Sequence, residues 1–142
     1  MDIYKFIQNH DVIHASPLIT KADIQLAEKA LGMKFGPQLF TYLLDYGFLM
    51  FNGVEFFGLN ARQGLESDLV KETKYLHQYF PVTVPYIAFE DAGDGAYILV
   101  DLEDNVYYFD SEDDSIEDLE QKLNDYILEQ FELMLEPDED ME

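Results

Sequence analysis

An α+β fold, a single domain in which an antiparallel β-sheet is flanked by N-terminal helices and a long C-terminal helix, is predicted by three features of the sequence. Apolar residues recur at helical spacing near both ends of the chain, and between them lie short β-branched and aromatic runs separated by turn residues. The chain has 142 residues, the length of one domain, which can bury about 70% of the surface its unfolded form exposes. Apolar residues make up 48% and aromatics 15%, all Tyr and Phe, enough bulk for a dense core without a disulfide or metal staple. No internal repeat or long linker divides it. Residues 1–136 are read as the domain and 137–142, PDEDME, as an acidic disordered tail.

The elements follow in order. Ile3, Phe6 and Ile7 form a short apolar stripe, read as a helix in the first dozen residues, with Pro17 closing the segment. Thr20 is an N-cap with Asp23 in the capping-box position, and Ile24, Ala27 and Leu31 give the second helix its inward face up to Gly32. Pro37 suits the first turn of a third helix, with Leu39, Phe40, Leu43 and Leu44 inward and Gly47 as its end. Then come FLMF, Asn52-Gly53 and VEFF. Asn-Gly between two apolar runs marks a hairpin, because both turn residues need positive φ.

After Asn60, the run SDLVKETKYLHQYF reads as a helix capped by Ser67, with Leu69, Val70, Tyr75 and Leu76 as its face and Pro81 as its stop. VTVPYIAF reads as a strand with Pro85 at an edge or bulge, and AYILVDL and VYYFD as two more. Glu103-Asp104-Asn105 turns between these last two, with Asn105 as the left-handed residue. Ser115 is expected to cap the longest helix, carrying Ile116, Leu119, Leu123, Tyr126, Ile127, Phe131 and Met134 inward, with Glu117 and Asp118 in its first turn and Pro137 at its end.

Charge is placed unevenly. Residues 1–89 carry 7 Lys/Arg and 9 Asp/Glu; residues 90–142 carry 1 and 21, a net of −20 out of −22. Such a field repels nucleic acid and anionic membrane and steers cationic partners inward; acids also serve solubility alone. Without cysteine there is no disulfide, thiolate metal site or cysteine nucleophile. The N-terminus has no basic region followed by a long apolar run, and nowhere do 18 apolar residues follow one another, so a cytoplasmic location is expected.

The stretch EDAGDGAYILVD, residues 90–101, is the one that invites chemistry. A calcium loop needs acids at alternate positions and a closing bidentate Glu, a frame that Asp91 and Asp94 do not supply. A phosphate cradle needs glycines leading into a helix with a basic residue near, whereas Gly93 and Gly95 lead into a strand and no Lys or Arg lies between Lys74 and Lys122. A tight turn is left, with both glycines at unusual φ and Asp91 or Asp94 bonding the turn backbone. His10 and His14 have the spacing of ligands on one helix face but read as a surface pair, and His77 has no evident carboxylate partner. Ser16, Ser67, Ser111 and Ser115 fall at caps or turns, so no nucleophile is apparent. Neither a cofactor nor a metal is expected.

Taken in order, several motifs resemble the SUKH superfamily, the Smi/Knr-like domain of a fungal cell-wall regulator. The similar residues are Ile19-Thr20, Ile24, Ala27-Glu28, Leu31-Gly32, Pro37 and Gly47, then the aromatic-glycine strand Glu55-Phe56-Phe57-Gly58-Leu59. Gly93-Asp94-Gly95 with Tyr97, Leu99 and Asp101 resembles the family's glycine turn and strand, and Val106 to Asp110 the next strand. The likeness spans about residues 15–132. Gly36 separates Phe35 from Pro37 where the family usually joins an apolar residue to the proline, and Ser111 stands where many members have a histidine.

The resemblance implies a non-enzymatic binding protein. Bacterial members are similar to immunity proteins, which neutralise a cognate toxin domain, often a nuclease; eukaryotic ones are similar to intracellular scaffolds with several partners. The acidic half fits the first, since a nuclease must be cationic to hold phosphates. The expected partner is a basic toxin domain, not nucleic acid or membrane. The residues expected to meet it are Asp91, Asp94, Asp101, Tyr107, Asp110, Glu112, Asp113 and Asp114. Strand alternation turns one of Tyr107 and Tyr108 inward without saying which.

Overall fold

The computed structural model describes residues 2–15, 19–59 and 68–135. The expectations for Pro17, Ser67, Pro137 and the tail lie outside them. The chain opens with helix α1 (Ile3–Asn9), capped by the Asp2 carboxylate, and a two-residue strand β1 (Ile13–His14). Helix α2 (Lys21–Leu31) carries the full Thr20–Asp23 capping box and ends on left-handed Gly32. Helix α3 (Pro37–Tyr46) begins at its proline and ends at Gly47. Strands β2 (Leu49–Phe51) and β3 (Val54–Phe56) form the Asn-Gly hairpin, with φ of 47° at Asn52 and 91° at Gly53. β1 adds to it, giving a small antiparallel sheet β1-β2-β3.

Helix α4 (Asp68–Tyr79) and a 3₁₀ turn (Pro81–Thr83) lead into a four-stranded antiparallel sheet of β4 (Ile87–Gly93), β5 (Ala96–Val100), β6 (Asn105–Asp110) and β7 (Ser115–Lys122), in that order. Helix α5 (Leu123–Leu133) follows. Central strand β5 is apolar throughout because both of its faces are covered. Ile98 and Val100 join the main core with Ile24, Leu39, Leu43, Phe56, Phe89 and Phe131. Leu99 joins a second cluster with Leu76 of α4, Ala88 and Phe109.

Four expectations are corrected. VTVP is not strand: Pro81 cannot donate to a ladder, and the chain turns through the 3₁₀ segment before β4 begins at Ile87. In the β5–β6 turn the left-handed residue is Asp104, with φ of 66°, while Asn105 already belongs to β6. The last helix does not begin at Ser115. Ser115–Lys122 is a strand, so Glu117 and Asp118 lie on the sheet and Lys122 precedes α5 as its N-cap. Ile116 and Leu119, three apart, pack against the second and the main cluster respectively, as odd spacing on a strand requires. On α4, Tyr75 is 46% exposed and Thr73 is buried in its stead, its hydroxyl accepting from the Ala88 N–H at 2.9 Å.

Asp104 does more than turn the chain. It is buried, and its carboxylate accepts from the N–H groups of Gln38 (2.9 Å) and Leu39 (3.0 Å). Residue 36, the N-cap of α3, has no side chain to do this, so the cap comes from 65 residues downstream. A Cβ on Gly36 would overlap that carboxylate, which explains the glycine before Pro37. Asp104→Ala strands two N–H groups and places alanine at positive φ. We expect it to cost about 3 kcal/mol in urea unfolding, with Asp104→Asn retaining part of the loss. An unchanged midpoint would mean that this contact does not hold α3.

Candidate functional site

Aspartates build the turns of the four-stranded sheet, and the irregularity within β7, in one repeated way. A carboxylate accepts the N–H two residues on: Asp91 from Gly93 (2.9 Å), Asp101 from Glu103 (2.8 Å), Asp110 from Glu112 (2.9 Å) and Asp118 from Glu120 (2.7 Å). Each bond is followed by left-handed backbone, at Asp94, Asp104, Asp114 and Glu120. Gly93 and Gly95 take positive φ as expected, at 90° and 82°.

Antiparallel pairing then decides which turns meet. Ala96 stands opposite Asp110, and the Ser111 N–H donates to the Gly95 carbonyl at 3.1 Å, so the β4–β5 and β6–β7 turns lie side by side at one end of the sheet. Asp91, Asp94, Asp110, Glu112, Asp113 and Asp114 are thereby gathered there, all exposed except half-buried Asp110. Lys122, the one Lys or Arg after Lys74, is at the opposite end, where its ammonium donates to the Glu103 carbonyl at 2.9 Å. The acidic end also reaches toward α4. Burial, then Glu72, Asp91 and Tyr75, raise the Tyr97 hydroxyl above its usual range. Tyr75 and Tyr79, the latter 60% exposed, lie nearby on α4 with ring centres 5.0 Å apart and planes tilted by 48°.

Asp101 and Tyr107 are not part of that end. Asp101 accepts from the Glu103 and Asn105 backbone, from the Asn105 amide and from the Tyr107 hydroxyl (2.8 Å). Partial burial opposes its ionisation, but these bonds outweigh it and hold the carboxyl below its ordinary value. Tyr107 faces the second cluster with its ring 4.9 Å from Tyr86, and Tyr108 is the exposed member of the pair at 37%. The two therefore build the β5–β6 turn, and the aromatics beside the acids come from α4 and Tyr97.

Glu90, not singled out in the sequence, is half-buried on the main-core face and accepts the Tyr126 hydroxyl at 2.5 Å. Its pKa is raised because burial outweighs that hydrogen bond. A raised folded-state value means that the ionised carboxylate burdens the fold at neutral pH and that the burden vanishes below the unfolded value of about 4.3. Glu90→Gln should therefore gain stability relative to the parent as pH rises from about 4 to 7. A stability difference that stays flat over this range, in parallel urea titrations, would show that Glu90 titrates normally.

Among the described residues, no three His, Asp or Glu side chains stand where they could hold a metal ion. His10 and His14 do not share a helix: His10 ends α1 with its ring stacked 4.0 Å from Phe6, and His14 is on β1. His77 bonds the Tyr86 carbonyl at 2.7 Å. No helix of the described residues is long and apolar enough to cross a membrane. What the sheet end offers is an acidic, aromatic-flanked surface suited to contact with a cationic macromolecule.

No curated protein matches the chain. The model of the SUKH_5 family, described as SMI1-KNR4 cell-wall, matches residues 3–132, from α1 through nearly all of α5, the span in which the capping box, the glycine-ended helices and the two acidic turns lie. With 130 of its 142 residues so matched, the chain belongs to the SMI1-KNR4 (SUKH) family.

Proposed function

We propose that this protein is an immunity protein, which binds a cognate basic toxin domain of a polymorphic or contact-dependent system and neutralises it without catalysis. The observation that carries this is the pairing of two turns at one sheet end. It concentrates six carboxylates on a surface to which the acidic half of the chain brings no cation. A nuclease domain is the favoured target, because a cleft that holds phosphates is cationic and offers the complementary field. Asp94, Glu112, Asp113 and Asp114 would lead the contact, since Asp91 and Asp110 each commit an oxygen to their turns.

The test is capture with the tagged protein from lysate of the native host, washed at low and high salt, followed by assay of what stays bound. A single basic protein that survives high salt, and whose nuclease activity is abolished by an equimolar amount of this chain, is the expected result. Several partners lost at moderate salt would favour the other role found in the family, an intracellular scaffold. In that case the acidic end would serve solubility.

A further inference from the structure

The four-stranded sheet has two edges, and the fold closes one of them. Beside β4, the Phe57 N–H following β3 donates to the Phe89 carbonyl at 2.7 Å, and α4 packs on the strand through Thr73. At the other edge β7 has β6 on one side and, among the described residues, no strand on the other. None of its eight residues is buried. Ser115–Asp118 runs in regular antiparallel register with β6, so alternate peptide groups direct N–H and C=O outward. The run ends at an irregularity around Glu120, whose φ is 57°.

The side chains along this edge select what can join it. Ile116 is half-buried beside Phe109, whereas Glu117 and Asp118 are exposed on opposite faces, next to Tyr108 and Tyr107. A second copy of β7 would bring like charges together, continued by Glu112, Asp113 and Asp114 in the preceding turn. A strand of opposite charge meets no such repulsion.

We propose that Ser115–Asp118 is the docking edge for an extended basic segment of the partner protein, which adds to the sheet as a fifth strand. Outward backbone groups would fix its register, an apolar residue would lie beside Ile116, and Lys or Arg beside Glu117. The basic character of the partner rests on the function proposed above; the mode of docking rests on the edge.

Backbone amide exchange in the full chain, followed by NMR, tests this with an octapeptide of alternating valine and lysine and a control of alternating valine and glutamate. At a free lysine peptide concentration about ten times its Kd, exchange of the outward amides of Ser115–Asp118 should slow about tenfold, with no effect of the control. If these amides do not slow, whether the lysine peptide fails to bind or binds without ordering the edge, the proposal is overturned. The two ideas fail separately. Failure to capture a basic partner would count against the immunity function and leave the peptide result to decide the edge. A captured toxin that binds tightly without slowing these amides would overturn edge docking alone.

Discussion

Gly58→Ala is expected to lower unfolding stability by about 3 kcal/mol or more, equivalent to a fall of about 10 °C in Tm. Gly58 is buried just after β3, and a Cβ there would overlap the Gly47 carbonyl oxygen and come within 2.8 Å of the Phe48 Cβ. That carbonyl has little freedom to retreat. It accepts the Leu59 N–H at 2.9 Å, and the Gly47 N–H closes α3 on the Leu43 carbonyl at 2.9 Å. Gly47 also sits at φ of 77°, where its own Cβ would meet the Ala15 Cβ. The hairpin and the α3 terminus thus cross backbone to backbone, and a methyl group must push them apart. Gly93→Ala is the control: φ there is 90° but nothing lies within 4 Å of the added atom, so strain alone should cost about 1 kcal/mol. Equal urea midpoints for the two variants would refute the close crossing.

The elements most legible in the sequence were those whose signals are local. Thr20 with Asp23, Pro37, Gly32, Gly47 and Asn52-Gly53 each fix their own turn or terminus, and all behave as their chemistry requires. Ser115–Lys122 was misread because Ile116, Leu119 and Leu123 keep helical spacing across two elements. On β7 that spacing serves the two faces of a strand, and only from Leu123 does it mark one face of a helix. The Asp104 cap was hidden for another reason: its donors lie more than 60 residues away, beyond any local pattern.

For the candidate site, residue types were legible in the sequence but their partition was not. Asp91, Asp101 and Asp110 share one turn chemistry, visible as an aspartate at the end of each strand run. Which turns sit together depends on strand pairing. The β4–β5 and β6–β7 turns share an end because β5 and β6 are antiparallel neighbours, and the same pairing sends Asp101 to the other end. The contribution of α4, through Tyr75 and Tyr79, needs the tertiary fold as well.

Removing charge from the acidic end should slow capture of the proposed partner, a basic toxin domain, by about 10- to 100-fold at low ionic strength while changing dissociation less. The variant that tests this cleanly combines Glu112→Lys and Asp113→Lys with Asp94→Asn and Asp114→Asn. Asparagine tolerates the left-handed backbone at the last two sites, where φ is 53° and 55°. Asp91 and Asp110 are left intact because their carboxylates hold the turns, so a folding defect does not masquerade as lost steering. Stopped-flow association with the purified toxin domain over a range of salt is the measurement. The parent rate should fall steeply as the Debye length contracts from about 30 Å at 0.01 M to about 8 Å at 0.15 M, and the variant rate should fall less steeply. If both proteins associate at the same rate with the same salt slope, the sheet end lies outside the interface. A slowed rate with an unchanged salt slope would mean that local contacts, rather than the field of the carboxylates, were lost.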